Sequence, residues 1–138
     1  MECSRDGAGM LRVSAGWVAL EWKGRDSLVP AGASCRMYPR LGPGIPWFDD
    51  ARPAFIAALH EMDQNRKGTL GTVLAEARAR DTLSLWHLLS RVDPEDRVSV
   101  YNRMAALAPP PSEVLRERVL ALDPESLRRW KDELAWTW

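Results

Sequence analysis

A cluster of prolines and glycines divides this chain into two parts with different sequence patterns. Five such residues fall within eight positions, and they are Pro39, Gly42, Pro43, Gly44 and Pro46. Proline removes a backbone donor and glycine weakens both helices and strands, so this composition favours neither element. The pattern predicts a connector over residues 39–50, with β structure before it and helices after it.

Residues 11–38 carry the apolar alternation that is typical of short strands. In the first run, Val18, Leu20 and Trp22 share one apolar face, which we expect to point inward. The expected strands cover residues 17–22, 27–29 and 33–38, with turns at Gly24 and Gly32. The sequence therefore predicts a small antiparallel meander.

The segment before these strands is polar and contains glycine. Residues 1–10 lack the apolar core of a signal peptide, and we expect them to form a disordered tail. This tail holds Cys3, and the second cysteine is Cys35. A disulfide between them can form in an oxidising compartment, and the alternative is that Cys35 is a small buried residue.

From Asp49 onward, apolar residues recur at helical spacing. Two segments, beginning at Asp93 and Asp123, each combine a capping Asp, a Pro at the first helical position and an acid in the first turn. The first expected helix is capped by Asp49 or Asp50, includes Pro53 in its first turn and runs through Met62. An apolar stripe over residues 70–77 follows, and the later helices are expected at 82–92, 94–107, 113–121 and 124–136. The predicted class is thus α+β, with the small meander followed by a helical domain over residues 51–138, a bundle of five or six short helices.

Charge and hydropathy exclude two classes of protein. The chain has 19 basic and 19 acidic residues and a net charge of zero, so it offers no basic platform for nucleic acid. No apolar run is long enough for a transmembrane helix. We therefore expect neither a nucleic-acid partner nor a membrane span in this chain.

Few residues here are candidates for catalysis or metal binding. The two histidines, His60 and His87, fall in different predicted helices, far in sequence from either cysteine, and no CxxC is present. We expect no catalytic, cofactor-binding or metal site, and hence no enzyme. The alternative from a different class is a small hydrolase or ligand-binding enzyme that uses His87 as a general base in a deep pocket.

Seven tryptophans are unusual for a chain of 138 residues. Three of them, Trp22, Trp86 and Trp130, lie on predicted apolar faces and suit a core. The other four are candidates for a partly exposed protein interface, and they are Trp17, Trp47, Trp136 and Trp138. Core packing and a sugar-stacking platform remain the alternatives for these four.

Part of the sequence resembles a known family. Residues 16–21 (GWVALE), 24–25 (GR) and 27–32 (SLVPAG), with Cys35, resemble the closing strands of FecR-like domains, which are related to the ferric-citrate regulator. The stretch from Pro39 through the WHLL helix at 86–89 and the proline triplet at 109–111 resembles the helical tail of certain FecR-like, anti-sigma-type proteins. On this resemblance, the chain corresponds to the C-terminal part of a longer sensor.

The resemblance implies a function and a location. It implies a non-enzymatic regulatory or sensory segment that acts through contacts with another protein, a membrane or extracytoplasmic component. The parent protein would be periplasmic or membrane-associated, whereas this chain alone, without signal or span, would be cytoplasmic. The alternatives are a stand-alone helical interaction scaffold and, since three short strands leave an edge unpaired, a homodimer through that open sheet edge.

Overall fold

The computed structural model describes residues 2–3, 9–23, 26–64 and 68–138. The strands are β1 (Glu2–Cys3), β2 (Gly9–Arg12), β3 (Trp17–Leu20), β4 (Ser27–Pro30), β5 (Ala33–Tyr38), β6 (Gly42–Pro43) and β7 (Trp47–Phe48). The helices are α1 (Pro53–Asp63), α2 (Leu70–Glu76), α3 (Thr82–Leu89), α4 (Pro94–Leu107), α5 (Arg116–Leu120) and α6 (Pro124–Leu134), with 3-10 turns at Ala79–Asp81 and Ala135–Thr137. The expected α+β order, strands and then short helices, is confirmed.

The chain divides into two compact units, Met1–Val73 and Leu74–Trp138. The first contains two antiparallel sheets. One has the order β1-β2-β5-β6, with β7 also on β5, and the other is the β3–β4 hairpin. Trp17 stands opposite Pro30 in the hairpin, and Val18 stands opposite Val29. The strands expected at 17–22, 27–29 and 33–38 are therefore present, over residues 17–20, 27–30 and 33–38, while the turn expected at Gly24 lies outside the described residues.

The sheet extends into both segments that were expected to lack structure. Gly9 and Met10, placed in the tail, belong to β2 and pair with Met37 and Arg36 of β5; the tail residues 1 and 4–8 lie outside the described residues. In the connector, β6 and β7 also pair with β5. Short edge strands tolerate prolines, which is why this composition did not prevent pairing.

The hairpin faces agree only in part with the predicted alternation. Val18 and Leu20 are half-buried, while the residues opposite them, Val29 and Ser27, are buried. Trp22, expected to point inward with them, lies beyond the end of β3 and is 40% exposed. Its ring covers Gly42, where a Cβ would overlap the indole. The prediction that Trp22 is a core residue is therefore wrong.

Helix α1 belongs to the first unit rather than to a helical domain over residues 51–138. Its residues Phe55 and Leu59 are fully buried. Neither Asp49 nor Asp50 caps it, because the N-cap is Arg52. Asp49 instead accepts a hydrogen bond of 2.5 Å from the Ser34 hydroxyl of β5.

The second unit is helical and is centred on α3, in which only Trp86 is not buried. Trp130 of α6 is fully buried, meets Tyr101 edge-on at 5.3 Å, and donates from its indole Nε1 to the Ala108 carbonyl. Helix α4 has the predicted bounds, whereas α3, α5 and α6 are shorter than expected. The longest helix among the described residues is α4, with 14 residues. No helix in the described part of the chain is long and apolar enough to cross a membrane.

Candidate functional site

Helix α6 begins at the second of the two predicted capping aspartates. The Asp123 carboxylate accepts from the backbone N–H of Ser126 at 3.0 Å and from its hydroxyl at 2.7 Å. These hydrogen bonds hold the pKa of Asp123 below its usual value, because they favour the ionised form. The cap marks the start of α6, and the side that faces the unit carries the buried residues Ser126, Trp130 and Leu134 at spacings of four.

This four-residue spacing explains why one of the last two tryptophans is half-buried and the other is exposed. Trp138 follows Leu134 by four residues, is half-buried, and donates from Nε1 to the Thr82 hydroxyl at 3.0 Å. Trp136 lies two residues from each of these positions and points to the opposite side, where it is 87% exposed. Trp138 is therefore mainly a packing residue, while Trp136 is the most exposed large apolar side chain among the described residues.

A groove of about 290 Å³ runs along the outer side of α6, and we call it the α6 groove. It is lined by Pro111, Glu113, Arg128, Arg129, Asp132 and Glu133. Trp136 follows Arg129, Asp132 and Glu133 by seven, four and three residues. Because such spacings place helical residues on one side, and the 3-10 turn Ala135–Thr137 directly follows α6, we expect the exposed indole to stand beyond these lining residues, at the end of the α6 groove.

The charges in the α6 groove are mostly paired with one another. Arg129 lies 3.8 Å from the Glu113 carboxylate, and Arg128 lies 4.0 Å from that of Asp132. All four side chains are about half exposed or more, so these contacts orient the groove more than they stabilise it. Glu133 has no ion pair with any described residue, which leaves one carboxylate available beside Trp136.

The other two interface candidates lie in the first unit and differ from each other. Trp17 is 54% exposed, on the outer hairpin face that it shares with Ala19 and Leu28. Trp47 is 5% exposed, since β7 pairs with Ser34 of β5. The expected exposure of Trp47 is wrong, because the segment that carries it is part of the sheet rather than a solvated linker.

His87, the general base of the enzyme alternative, lies inside the second unit. It is 3% exposed, and its Nδ1 is 2.7 Å from the Leu83 carbonyl one turn earlier. Burial lowers the pKa of His87 to about 3, with smaller contributions from Arg91 and Lys131, while the Leu83 carbonyl opposes the shift. A buried, neutral imidazole bonded to its own helix suits packing better than proton transfer to a substrate.

A polar cluster that no sequence pattern indicated lies between β5 and α1. Asp63 is 5% exposed and accepts from the Ile45 N–H at 3.3 Å and from the Tyr38 hydroxyl at 3.4 Å. Burial, with the nearby Asp63 charge, raises the pKa of Tyr38 to about 12. His60, one turn before Asp63, meets Trp47 edge-on at 4.7 Å.

Burial, together with the charge of Arg36, lowers the pKa of His60 to about 4. No described residue forms a hydrogen bond with His60 Nε2, so this histidine is neutral near pH 7 and packs mainly through its ring. The Cys35 thiol is buried and contacts the Gly44 carbonyl at 3.4 Å, while the side chain of Cys3 lies outside the described part. No three metal-binding side chains converge among the residues described.

In each of the two units, some of the candidate residues face outward and others are buried. In the second unit, Trp136 and the α6 groove face outward, while His87 and Trp130 lie inside. In the first unit, Trp17 faces outward, while Asp63, which accepts from the half-buried Tyr38, lies inside. The outward-facing residues are suited to contact with another molecule. Comparison of the chain with protein-family models, with curated proteins and with solved structures found no match.

Proposed function

We propose that this chain is a non-enzymatic regulatory segment that acts through protein–protein contacts, with Trp136 as the main anchor. The observation that carries the proposal is the 87% exposure of Trp136. An aromatic side chain buries roughly 150–250 Å² when it is covered. At about 25 cal/mol per Å², a partner that covered this indole would gain roughly 4–6 kcal/mol before the costs of association.

The surroundings of Trp136 fit the anatomy of a protein interface. Such interfaces combine an aromatic anchor with a polar rim, and tryptophan is enriched among the residues that dominate binding. Here the rim would be the α6 groove, whose charged side chains on α6 precede the indole by three to eight residues. Trp136 also lies on a short 3-10 turn held between the buried Leu134 and the hydrogen-bonded Trp138. Because this backbone is already ordered, binding would cost little backbone conformational entropy.

The role of a FecR-like extracytoplasmic sensor, with a membrane or extracytoplasmic protein as the partner, remains the more specific form of this proposal. It depends on the strand-turn-strand resemblance of residues 16–32. A helical interaction scaffold would use the same surface without that context. The two differ in where the partner resides, whereas both require Trp136 to be covered in the complex.

The test replaces Trp136 with the photo-crosslinking residue p-benzoylphenylalanine in cells that express the chain. The matched control carries the same residue at Glu117, an exposed position on α5 of the same unit. We expect a discrete adduct of higher mass from position 136 and none from position 117. If both positions give no adduct, or the same adducts, Trp136 is not an anchor and the proposal fails.

A second contact, between two copies of this chain, is favoured by the β3–β4 hairpin. Among the described strands, β3 pairs with β4 alone. The Gly16 carbonyl accepts from the Ala31 N–H, whereas Pro30, opposite Trp17, has no N–H. Because hydrogen-bonded pairs alternate along an antiparallel ladder, the next residues of β3 that bond to β4 are Val18 and Leu20. Ala19 therefore points its N–H and C=O away from β4, and an added strand would protect them.

This homodimer is tested by amide hydrogen exchange at increasing protein concentration. Formation through β3 would slow exchange at Ala19 as the mass rises toward twice 15.6 kDa. Val18 and Leu20, which bond within the hairpin, serve as internal controls and should be protected at every concentration. Fast exchange at Ala19 in a sample that has dimerised would place the dimer contact elsewhere.

A further inference from the structure

We infer that the α6 groove recognises a basic side chain, an arginine or lysine of the partner protein, held between Trp136 and Glu133. This inference rests on the proposed function, since it uses the same surface. The partner's cation would lie over the exposed indole and pair with the carboxylate. Glu133 lines the α6 groove, and Trp136 follows it by three residues in the 3-10 turn Ala135–Thr137, which continues directly from α6.

The charge balance of the α6 groove selects a cation over an anion. Its lining contains three carboxylates and two guanidinium groups. Each arginine already has an acidic neighbour, Arg129 with Glu113 and Arg128 with Asp132. Glu133 is left over, without an ion pair to any residue that the structure describes. An incoming anion would have to displace an existing pair, whereas a cation completes the set.

The exposed indole strengthens this preference. The face of a tryptophan ring attracts cations within about 6 Å of its centroid, and arginine also stacks on it. The same unit already shows this contact, since Lys131 Nζ lies 5.8 Å from the centroid of the Trp86 ring. Trp136 has no such neighbour among the described residues, so its face is open to a cation from a partner.

The probes are N-acetyl-arginine amide and, for comparison, N-acetyl-glutamate amide. Each is titrated into the full chain labelled with ¹⁵N while the indole N–H signal of Trp136 is followed; Trp136→Ala identifies that signal. We expect a saturable shift at millimolar arginine derivative and none with the glutamate derivative. Added salt should weaken the response, because the pair is exposed.

Glu133→Gln separates the carboxylate from the ring. An exposed ion pair of 0.2–1 kcal/mol predicts a loss of affinity of about 1.5- to 5-fold. The matched control, Glu117→Gln on α5, removes an exposed acid outside the groove and should leave the titration unchanged. An unshifted indole, an equal response to both probes, or equal affinities for Glu133→Gln and the native chain would overturn the inference. If one of these results is found but position 136 still crosslinks to a partner, only the assignment of a basic side chain as the ligand fails, and the proposed function stands.

Discussion

Replacement of Gly44 with alanine should destabilise the first unit through a single buried carboxylate. Gly44 is buried beside α1, and a Cβ at this position would lie 2.7 Å from Asp63 Oδ2 and 2.9 Å from Tyr38 Cε2. Both distances are well inside van der Waals contact, so the carboxylate must move away. Gly44 is not at positive φ, which means that the collision, rather than backbone strain, decides the outcome.

The magnitude follows from what Asp63 would lose. Its carboxylate accepts from the Ile45 N–H and the Tyr38 hydroxyl while only 5% exposed. A buried group left without its partner costs about 1–3 kcal/mol, and more when it is charged. We therefore expect Gly44→Ala to lower the free energy of unfolding by about 2–3 kcal/mol. Urea denaturation followed by tryptophan fluorescence measures it.

Gly71→Ala is the matched control. Gly71 lies in α2 within the same unit, and a Cβ there would have nothing within 4 Å. Alanine is a better helix former than glycine, so this change should stabilise by up to about 1 kcal/mol. A Gly44→Ala variant as stable as the native chain would refute the reasoning. The reasoning would also be refuted if Gly44→Ala lowered the free energy of unfolding by the same amount in an Asp63→Ala background, because the destabilisation is assigned to the Asp63 carboxylate.

Three further predictions concern the second unit. Trp130→Ala should cost about 3–5 kcal/mol in urea unfolding, since Trp130 is fully buried, whereas Trp136→Ala should change stability by less than about 0.5 kcal/mol; equal effects would contradict the burial. The pKa of His87 is lowered from 6.5 to about 3, so the unfolded chain binds the extra proton and stability falls as the pH drops from 6.5 towards 3. The loss is about 2 kcal/mol between pH 6.5 and 5, and it should vanish in His87→Gln if this histidine is the cause. Asp81→Ala should cost about 3–5 kcal/mol, because the Asp81 side chain is fully buried and holds the Arg78 guanidinium at 2.9 and 3.0 Å; a melting temperature within a degree of native would refute it.

The periodic parts of the fold were predictable from local physics. The alternation of apolar residues located strands β3, β4 and β5, and Asp-Pro-Glu at 93–95 and 123–125 located the starts of α4 and α6. Asp123 makes the predicted side-chain cap, whereas Asp93 does not. Local signals of this kind work because the turn, the cap and the apolar face involve neighbouring residues.

The parts that failed depend on pairing over longer distances. Gly42, Pro43 and Trp47 gave no local signal for strands, since β6 and β7 exist only because β5 lies beside them. The Tyr38–Asp63 contact links residues 25 positions apart, which no spacing rule reveals. Trp138, by contrast, could have been assigned to the interior, because it continues the four-residue spacing of Trp130 and Leu134.

If Trp136 anchors a protein complex, its removal should change the native size of the chain in a gently prepared extract of cells that express it. Gel filtration with an immunoblot would compare the native chain with Trp136→Ala and with the control Glu117→Gln. We expect the native chain and the control to elute above twice 15.6 kDa, and Trp136→Ala to elute at or below that mass. Identical elution of all three chains would contradict it.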